Sequence, residues 1–580
     1  MSQNLGDLVL EAAAAYGDDI AFLVHRRFRH ERITFHQTGV LTRQVATWLL
    51  SKGLSPGDRI VIWAPNMPQY ALLYFGAWLA GVVVVPIDVR SEQATVDRFV
   101  QDAAPRLGFK SEALPGAFGP PVEETIPLER LLELVADVTP AASLPEIGPQ
   151  HLCEITFTSG TTGVPKGVML THGNLLAETA AMHVAFPLQR GYRALSLLPL
   201  SHALEQTITL LLAYTSGVRV SYVSRVNTVT IARAMREGEI TCLVLVPELL
   251  RRMLAGMERR ARESGRWGRW QAAHRLAPWL PFPLRRLLFR PVHQALGGHL
   301  LFFGCGGAPL DVSLAQAWER MGIRVYEGYG LTETSAAAAI NRPGAQRLGT
   351  VGRPIPGVEV RLAEDGEILL RGPTVSQGYY NRPEVTAQTF TDGWFHSGDV
   401  GRFDPDGYLR VTGRSAFKLV MADGRNVYPE DVERVLNQHP LVKESCVVGV
   451  ARPSGAGGRA WDGRSGDVVH AVLLTDAEEQ AGEIVRWANR QLASHQQISG
   501  STVWPEEDLP RTPTLKVNRE LVRTTVQRRL AGLTETPAPA QVSRAPAPAT
   551  PGGDRLRELI AEVAGQPVDV IDDAAALEAD

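Results

Sequence analysis

Thr158-Ser-Gly-Thr-Thr-Gly-Val-Pro-Lys-Gly167 packs three glycines, four hydroxyl side chains and one lysine into ten residues. It follows an apolar run at 155–157 that reads as a strand end. Glycine lets backbone N–H groups approach an anion closely, and hydroxyls and an ammonium add further donors. The loop is therefore built to hold phosphate. It is not a Walker A loop, because Gly160, Gly163 and Lys166 do not fit that spacing. A surface turn is the alternative reading. Pro165-Lys166-Gly167 and the apolar segment that follows argue against it.

The rest of the chain sets the frame. At 580 residues it can bury a sizeable core and should form more than one domain. Its 44% hydrophobic and 21% charged residues are ordinary for a soluble globular protein. A net charge of −3 implies no pull toward nucleic acid. Cys153, Cys242, Cys305 and Cys446 are far apart, which argues against a zinc site or a disulfide framework and fits a reducing compartment. No basic-then-apolar leader opens the sequence, and no run reaches the ~18 apolar residues of a spanning helix. A cytoplasmic enzyme is the expectation.

Short β-branched apolar runs at 60–63, 82–87, 243–246 and 300–303 alternate with helix-compatible stretches such as 70–80 and 230–237. That alternation predicts α/β layers. Near Gly413-Arg414 a second, smaller α+β unit begins, with helices at 429–437 and 481–492 and strands at 446–450 and 468–474. The expected fold is a large multi-sheet α/β domain followed by a small hinged α+β domain. The expected boundaries are 1–413 for the core, 414–533 for the small domain, 534–553 for a Pro/Ala linker and 554–580 for a terminal segment. The linker composition cannot pack a core. In the last segment Leu556, Leu559, Ile560 and Val563 follow helical spacing. Gly53-Leu-Ser55-Pro-Gly57 matches a hydrolase nucleophile elbow on paper. That motif needs a strand before it and a helix after, and the pattern here is the reverse. Gly53 reads as a helix C-cap and Pro56-Gly57 as a turn.

The phosphate loop resembles the signature of the adenylate-forming superfamily, and further motifs follow in that family's order across about residues 20–525. They are Leu198-Pro-Leu-Ser-His202-Ala-Leu-Glu205, Gly304-Cys-Gly-Gly-Ala-Pro309, Tyr326-Glu-Gly-Tyr-Gly-Leu-Thr-Glu-Thr334, Gly393-Trp-Phe-His-Ser-Gly-Asp399, Gly413-Arg414 and Pro510-Arg-Thr-Pro-Thr-Leu-Lys516. The resemblance implies ATP and Mg²⁺, with Thr158, Ser159, Gly160, Thr161, Thr162, Gly163 and Lys166 around the departing pyrophosphate. It implies Thr332 on the α-phosphate and Glu333 on Mg²⁺, a cation that takes carboxylate and phosphate oxygens. It puts Tyr329, Glu327, Gly306, Gly307 and Ala308 around the adenosine, and Asp399 and Arg414 on the ribose. Lys516, Thr332, Glu333 and His202 form the implied catalytic set, Lys516 easing the approach of a carboxylate to a phosphate. In the family's usual hinge phrase an aspartate follows Gly-Arg and serves as the pivot. Phe417 stands in its place here.

The resemblance leans toward fatty-acyl-activating members. Amino-acid-activating relatives usually carry an aspartate near His202 to pair an ammonium, and residues 199–206 have none. Residues 259–290 mix arginine with tryptophan and leucine. That fits a weak peripheral contact with an anionic membrane surface, or a solvated arginine face over packed helices. The acceptor thiol is CoA or a phosphopantetheinyl carrier. The second is encouraged by residues 570–580, which resemble the start of an acyl carrier protein that stops short of its serine. An aryl- or amino-acid-activating module is the rival reading.

Overall fold

The helix Pro68–Ala80 begins with a proline in its first turn and ends at Gly81 in the left-handed region (φ 73°). It is buried on every side. A helix that is apolar all round has no face for water and must sit inside the molecule. It shares one core cluster with Ile60 and Val84 of a six-stranded sheet and with Phe22, Val220 and Tyr222 of a nine-stranded sheet. The computed structural model describes residues 2–530 except 26–29, 159–164, 224–226, 422–424, 451–467, 507 and 512–516. Ser159, Gly160, Thr161, Thr162 and Gly163 of the phosphate loop, Lys516, the 534–553 linker and the 554–580 segment therefore lie outside the described residues.

The six-stranded sheet runs Glu124–Pro127, Leu107–Lys110, Arg59–Trp63, Val83–Ile87, Leu152–Thr158 and Lys166–Thr171, parallel except for the last pair. The nine-stranded sheet has a parallel centre of Arg324–Tyr329, Phe302–Cys305, Cys242–Leu245, Arg193–Leu195, Arg219–Val223 and Ile20–His25, with antiparallel strands at both edges. Parallel strands covered on both faces read as continuous apolar runs, which is why those at 60–63, 82–87 and 243–246 are visible in the sequence. The run at 300–303 misleads by two residues. The strand is Phe302–Cys305, because Gly304 and Cys305 pair with Val244 and Leu245 on one side and Tyr326 and Glu327 on the other.

An antiparallel five-stranded sheet follows, with Ile368, Leu370, Phe395 and Leu409 in its core. The small α+β unit holds the strands Glu444–Val450, Val468–Leu474 and Gly500–Val503 and the helices Pro429–Leu436 and Ala481–Asn489. Val447, Ala471 and Ile484 belong to a core of its own. The described residues up to 524 nonetheless form one compact unit, and 525–530, the described part of a second, finish the helix Arg519–Leu530. The expected α/β architecture with a smaller α+β part is thus present. Gly53 and Gly57 have φ of 78° and 91°, between the helix Phe35–Ser51 and the strand Arg59–Trp63, as the turn reading requires.

The arginine-rich stretch folds as Pro247–Glu263, Trp267–Leu276, Phe282–Leu288 and Arg290–Ala295. Trp270 packs edge-on against Phe289, and Arg262 covers Trp267 at 4.0 Å from the ring centroid. Trp279 and Leu287 are instead 85% and 65% exposed. Among the described residues no helix is long and apolar enough to cross a membrane.

Candidate active site

Parallel strands present their carboxyl ends on one edge, and ligand sites of α/β sheets form there. The segment with His202 leaves the strand Arg193–Leu195, Gly306–Ala308 leaves Phe302–Cys305, and Thr332–Thr334 leaves Arg324–Tyr329. Gly307 has φ 81°. A Cβ on Gly330 would stand 2.0 Å from the Ala336 carbonyl oxygen, so only glycine lets the chain fold back here. Thr332–Thr334 is a single 3₁₀ turn, followed by Ser335 (φ 59°) and Ala336 (φ 109°). Such backbone persists only where its surroundings hold it. Three bonds do so: Thr207 Oγ1 donates to the Ser335 carbonyl (2.9 Å), Ser335 Oγ to the Thr374 carbonyl (2.7 Å) and Ala337 N–H to the buried Glu178 carboxyl (3.0 Å). Thr207 is aimed by the π-helical turn Gln206–Leu212.

Tyr329, Asp399 and Arg414 meet. The Tyr329 hydroxyl donates to Asp399 Oδ2 at 2.9 Å, and Arg414 Nε donates to Oδ1 at 2.7 Å. Asp399 is 5% exposed, and it faces Arg414 across an antiparallel pair of strands. Burial, and then the carboxylate itself, push the Tyr329 hydroxyl well above its ordinary range, so it stays a donor. Glu333, Lys166 and the phosphate loop's end also converge. Thr158 and Lys166 are register partners at the root of the loop. Lys166 Nζ lies 5.1 Å from the Tyr379 ring centroid, and the Tyr379 hydroxyl donates to Glu333 Oε1 at 2.9 Å. Tyr379 is placed by the chain at 378–380, which pairs with the strand Lys166–Thr171.

Glu327 is engaged within the fold. Its carboxyl accepts from Leu310 N–H at 3.3 Å, tying the segment after Ala308 to the neighbouring strand, and burial pushes it up to about 8. His202 Nε2 sits 2.8 Å from Asp88 Oδ2. Asp88 is buried, yet hydrogen bonds from His202 and Arg90 outweigh that burial and hold its carboxyl far below the usual range. Asn66 braces the same turn, donating to Ser196 Oγ (2.8 Å) and the Leu198 carbonyl (2.6 Å) and accepting from Leu200 N–H (2.8 Å). Ser196 passes the chain on to Glu205 at 2.6 Å.

Sequence reasoning missed Asp88, Asn66 and Tyr379. Asp88 carried a signal: it is the first carboxylate after the apolar strand Val83–Ile87, at the carboxyl end of a parallel strand. Phe417 ends the turn Ser415–Phe417, and its ring lies under the Arg519 guanidinium at 5.3 Å. Arg511, five residues before Lys516 in the sequence, is held by three carboxylates. Its Nη2 lies 2.5 Å from Glu444, 2.6 Å from Asp508 and 3.7 Å from Glu248, the last at the start of the helix Pro247–Glu263. Arg252 joins Asp508 at 2.7 Å.

Residues 9–380 match the AMP-binding enzyme family, and 418–531 match the AMP-binding enzyme C-terminal domain. The chain is 32% identical over 562 residues to the long-chain-fatty-acid–CoA ligase FadD15 of Mycobacterium bovis, covering 87% of this chain and 93% of that one. It is 30% identical over 485 residues to a feruloyl-CoA synthase of Amycolatopsis sp, covering 80% and 88%. O-succinylbenzoate coenzyme A synthetase (MenE) from Bacillus subtilis, solved with AMP, shares the fold with a TM-score of 0.72 at 23% identity, over 90% of this chain and 98% of that one. The chain belongs to the AMP-binding enzyme family and is an adenylate-forming acid–thiol ligase.

Proposed function

We propose that this enzyme converts a medium- or long-chain fatty acid and ATP to acyl-AMP and pyrophosphate, and then passes the acyl group to CoA. The observation that carries the choice of acid is the state of Asp88. It is the one carboxylate found bonded to His202 among the described residues, and His202 and Arg90 already occupy it. An ammonium-bearing substrate would need an uncommitted counter-charge, and burying it without one is costly. The neighbouring wall is apolar: Leu204 and Val246 approach Gly306 and Gly307. The kinship with a long-chain-fatty-acid–CoA ligase supports the same reading. The feruloyl-CoA synthase favours a second one, an aryl acid in the same pocket.

In this reading Asp399 accepts from the ribose hydroxyls while Arg414 fixes its orientation. Tyr329 and the backbone of Gly306, Gly307 and Ala308 face the adenine, and Glu327 braces that segment from within. Thr332 donates to the α-phosphate. Lys166 and the loop from Thr158 through Ser159, Gly160, Thr161, Thr162 and Gly163 hold the pyrophosphate. Glu333, with one oxygen fixed by Tyr379, offers the other as a hard ligand for Mg²⁺. When bound, that ion neutralises phosphate charge. His202, held by Asp88, stands at the acid's wall, and Lys516 screens the carboxylate from the α-phosphate. The domain boundaries 1–413 and 414–533 fit this division, since the second part has its own core and matches a separate family domain. The linker 534–553 and the terminal segment 554–580 keep a carrier-protein thiol as the rival acceptor.

ATP–pyrophosphate exchange against short-, medium- and long-chain fatty acids, aryl acids and amino acids tests the reading. Exchange should be confined to medium or long fatty acids, with thioester formed on adding CoA. Exchange with aryl acids would transfer the proposal to the second reading, and exchange with amino acids would sink both.

A lipid substrate also gives a use to the arginine-rich helices. Residues 259–290 carry nine arginines against one glutamate, beside exposed Trp279 and Leu287. The excess charge suits an anionic lipid surface at about 1 kcal/mol per basic residue. Vesicles with anionic lipid should sediment the enzyme at low salt, neutral vesicles should not, and W279A with L287S should weaken binding. Equal binding of both vesicle types would refute the contact.

A further inference from the structure

His25 ends the strand Ile20–His25 and His30 opens the strand His30–Thr34, and the two are register partners at the end of that antiparallel pair. Residues directly opposed on a ladder project to the same face, with Cβ atoms about 5 Å apart. The two rings accordingly meet edge to face, their centroids 5.0 Å apart. The helix Thr228–Glu237 brings a carboxylate to the same point. Glu237 Oε2 lies 3.8 Å from His25 Nδ1 and 3.7 Å from His30 Nε2, and one ligand atom from each of the three residues falls within 4.8 Å of the others.

Two features of this cluster have no use in the fold itself. His25 is only 6% exposed, yet among the described residues neither of its ring nitrogens has a hydrogen-bond partner. An unpaired polar group at that depth is destabilising unless something binds it. Glu237, for its part, is a carboxylate at a helix carboxyl end, where the peptide dipoles disfavour negative charge. Arg233, one turn earlier, reaches its other oxygen, Oε1, at 3.6 Å. The guanidinium of Arg219 is turned to the Gly238 carbonyl. Oε2 is thus left facing the two imidazoles.

We propose that His25, His30 and Glu237 form a divalent-cation site suited to Zn²⁺, with two imidazole nitrogens and one carboxylate oxygen as ligands. Separations of 3.7 and 3.8 Å are too long for hydrogen bonds. A tetrahedral Zn²⁺ with ligands at about 2.0–2.1 Å spaces them about 3.3 Å apart, so a small rotamer adjustment closes the site. Three protein ligands leave a fourth position to water. The ion would tie the edge hairpin of the nine-stranded sheet to the helix behind it. It uses none of the residues assigned to the nucleotide.

The test uses the full chain, chelator-treated and free of nucleotide, with Zn²⁺ and Co²⁺ as probes. One equivalent of Zn²⁺ should bind in competition with a chromogenic chelator and raise the melting temperature, and Mg²⁺ should not substitute. Co²⁺ should give the intense visible bands of a four-coordinate site. His30→Ala and Glu237→Gln, both at half-exposed positions, should each weaken Zn²⁺ at least tenfold and remove the thermal shift. Their ATP–pyrophosphate exchange should match that of the parent. No stoichiometric Zn²⁺ in the parent, or equal Zn²⁺ affinity in parent and variants, would overturn the assignment.

Discussion

Lys516→Ala is expected to lower acyl-adenylate formation by on the order of 10³-fold, the upper range for removing one preorganised donor from a developing oxyanion. The chemistry explains the size. A carboxylate attacks an α-phosphate, and both carry negative charge until pyrophosphate leaves. A lysine between them lowers the barrier to that approach, an effect far weaker in the ground state. The second half-reaction has a different demand. There the adenylate is neutral at its acyl carbon and the nucleophile is a thiolate. Acyl-AMP supplied to the variant with CoA should therefore yield thioester within about tenfold of the parent rate. Rapid-quench measurement of the two half-reactions separates them. If both fell together, the lysine would be a structural or general binding group.

Asp399→Asn should raise the KM for ATP and lower kcat/KM by roughly 100-fold. The carboxylate is 5% exposed and holds Tyr329 and Arg414 in place. Hydrogen bonds to a charged group are worth about 1.5–3 kcal/mol each, and the amide keeps the shape while losing the charge. The nearly isosteric change leaves Arg414 with a neutral acceptor, so the loss should fall on ATP and spare the acid. A variant whose KM for fatty acid rose as much as its KM for ATP would contradict the ribose assignment. Thermal melting of the variant controls for misfolding, since Arg414 would lose its ionic partner.

Much of the site was legible because it is built from contiguous backbone. Tyr326 to Thr334 carries Tyr329, proposed to face the adenine, the chain reversal at Gly330 and the Thr332–Glu333 turn in nine successive residues. A sharp reversal confines the choice of residue, so it leaves a readable pattern. Contacts that depend on sheet order left none. Asp88 and His202 are 114 residues apart and follow strands of two different sheets, so nothing local in the sequence joins them. Tyr379 reaches Glu333 only because the chain at 378–380 pairs with the strand Lys166–Thr171. The displaced strand Phe302–Cys305 teaches the same lesson, since pairing on both sides recruited Gly304, a poor strand former. The stretch 259–290 was ambiguous for a physical reason: arginine stems cover aromatic rings while their heads stay wet, so one composition serves packed and lipid-facing surfaces. Trp267 and Trp279 show the two cases side by side.

The anchoring of Arg511 has a consequence for salt dependence. Arg511 is moored by carboxylates of Glu248, Glu444 and Asp508, with Arg252 joining Asp508. Arg511, Glu444 and Glu248 are only 11–12% exposed and so feel salt weakly, whereas the Arg252–Asp508 pair, at 53% and 41%, weakens once the Debye length shrinks, to about 3 Å in molar salt. Such a mooring behaves as a latch rather than a weld. Its outer pair can open while the inner pairs keep Arg511 in place, and the electrolyte acts mainly on the outer one.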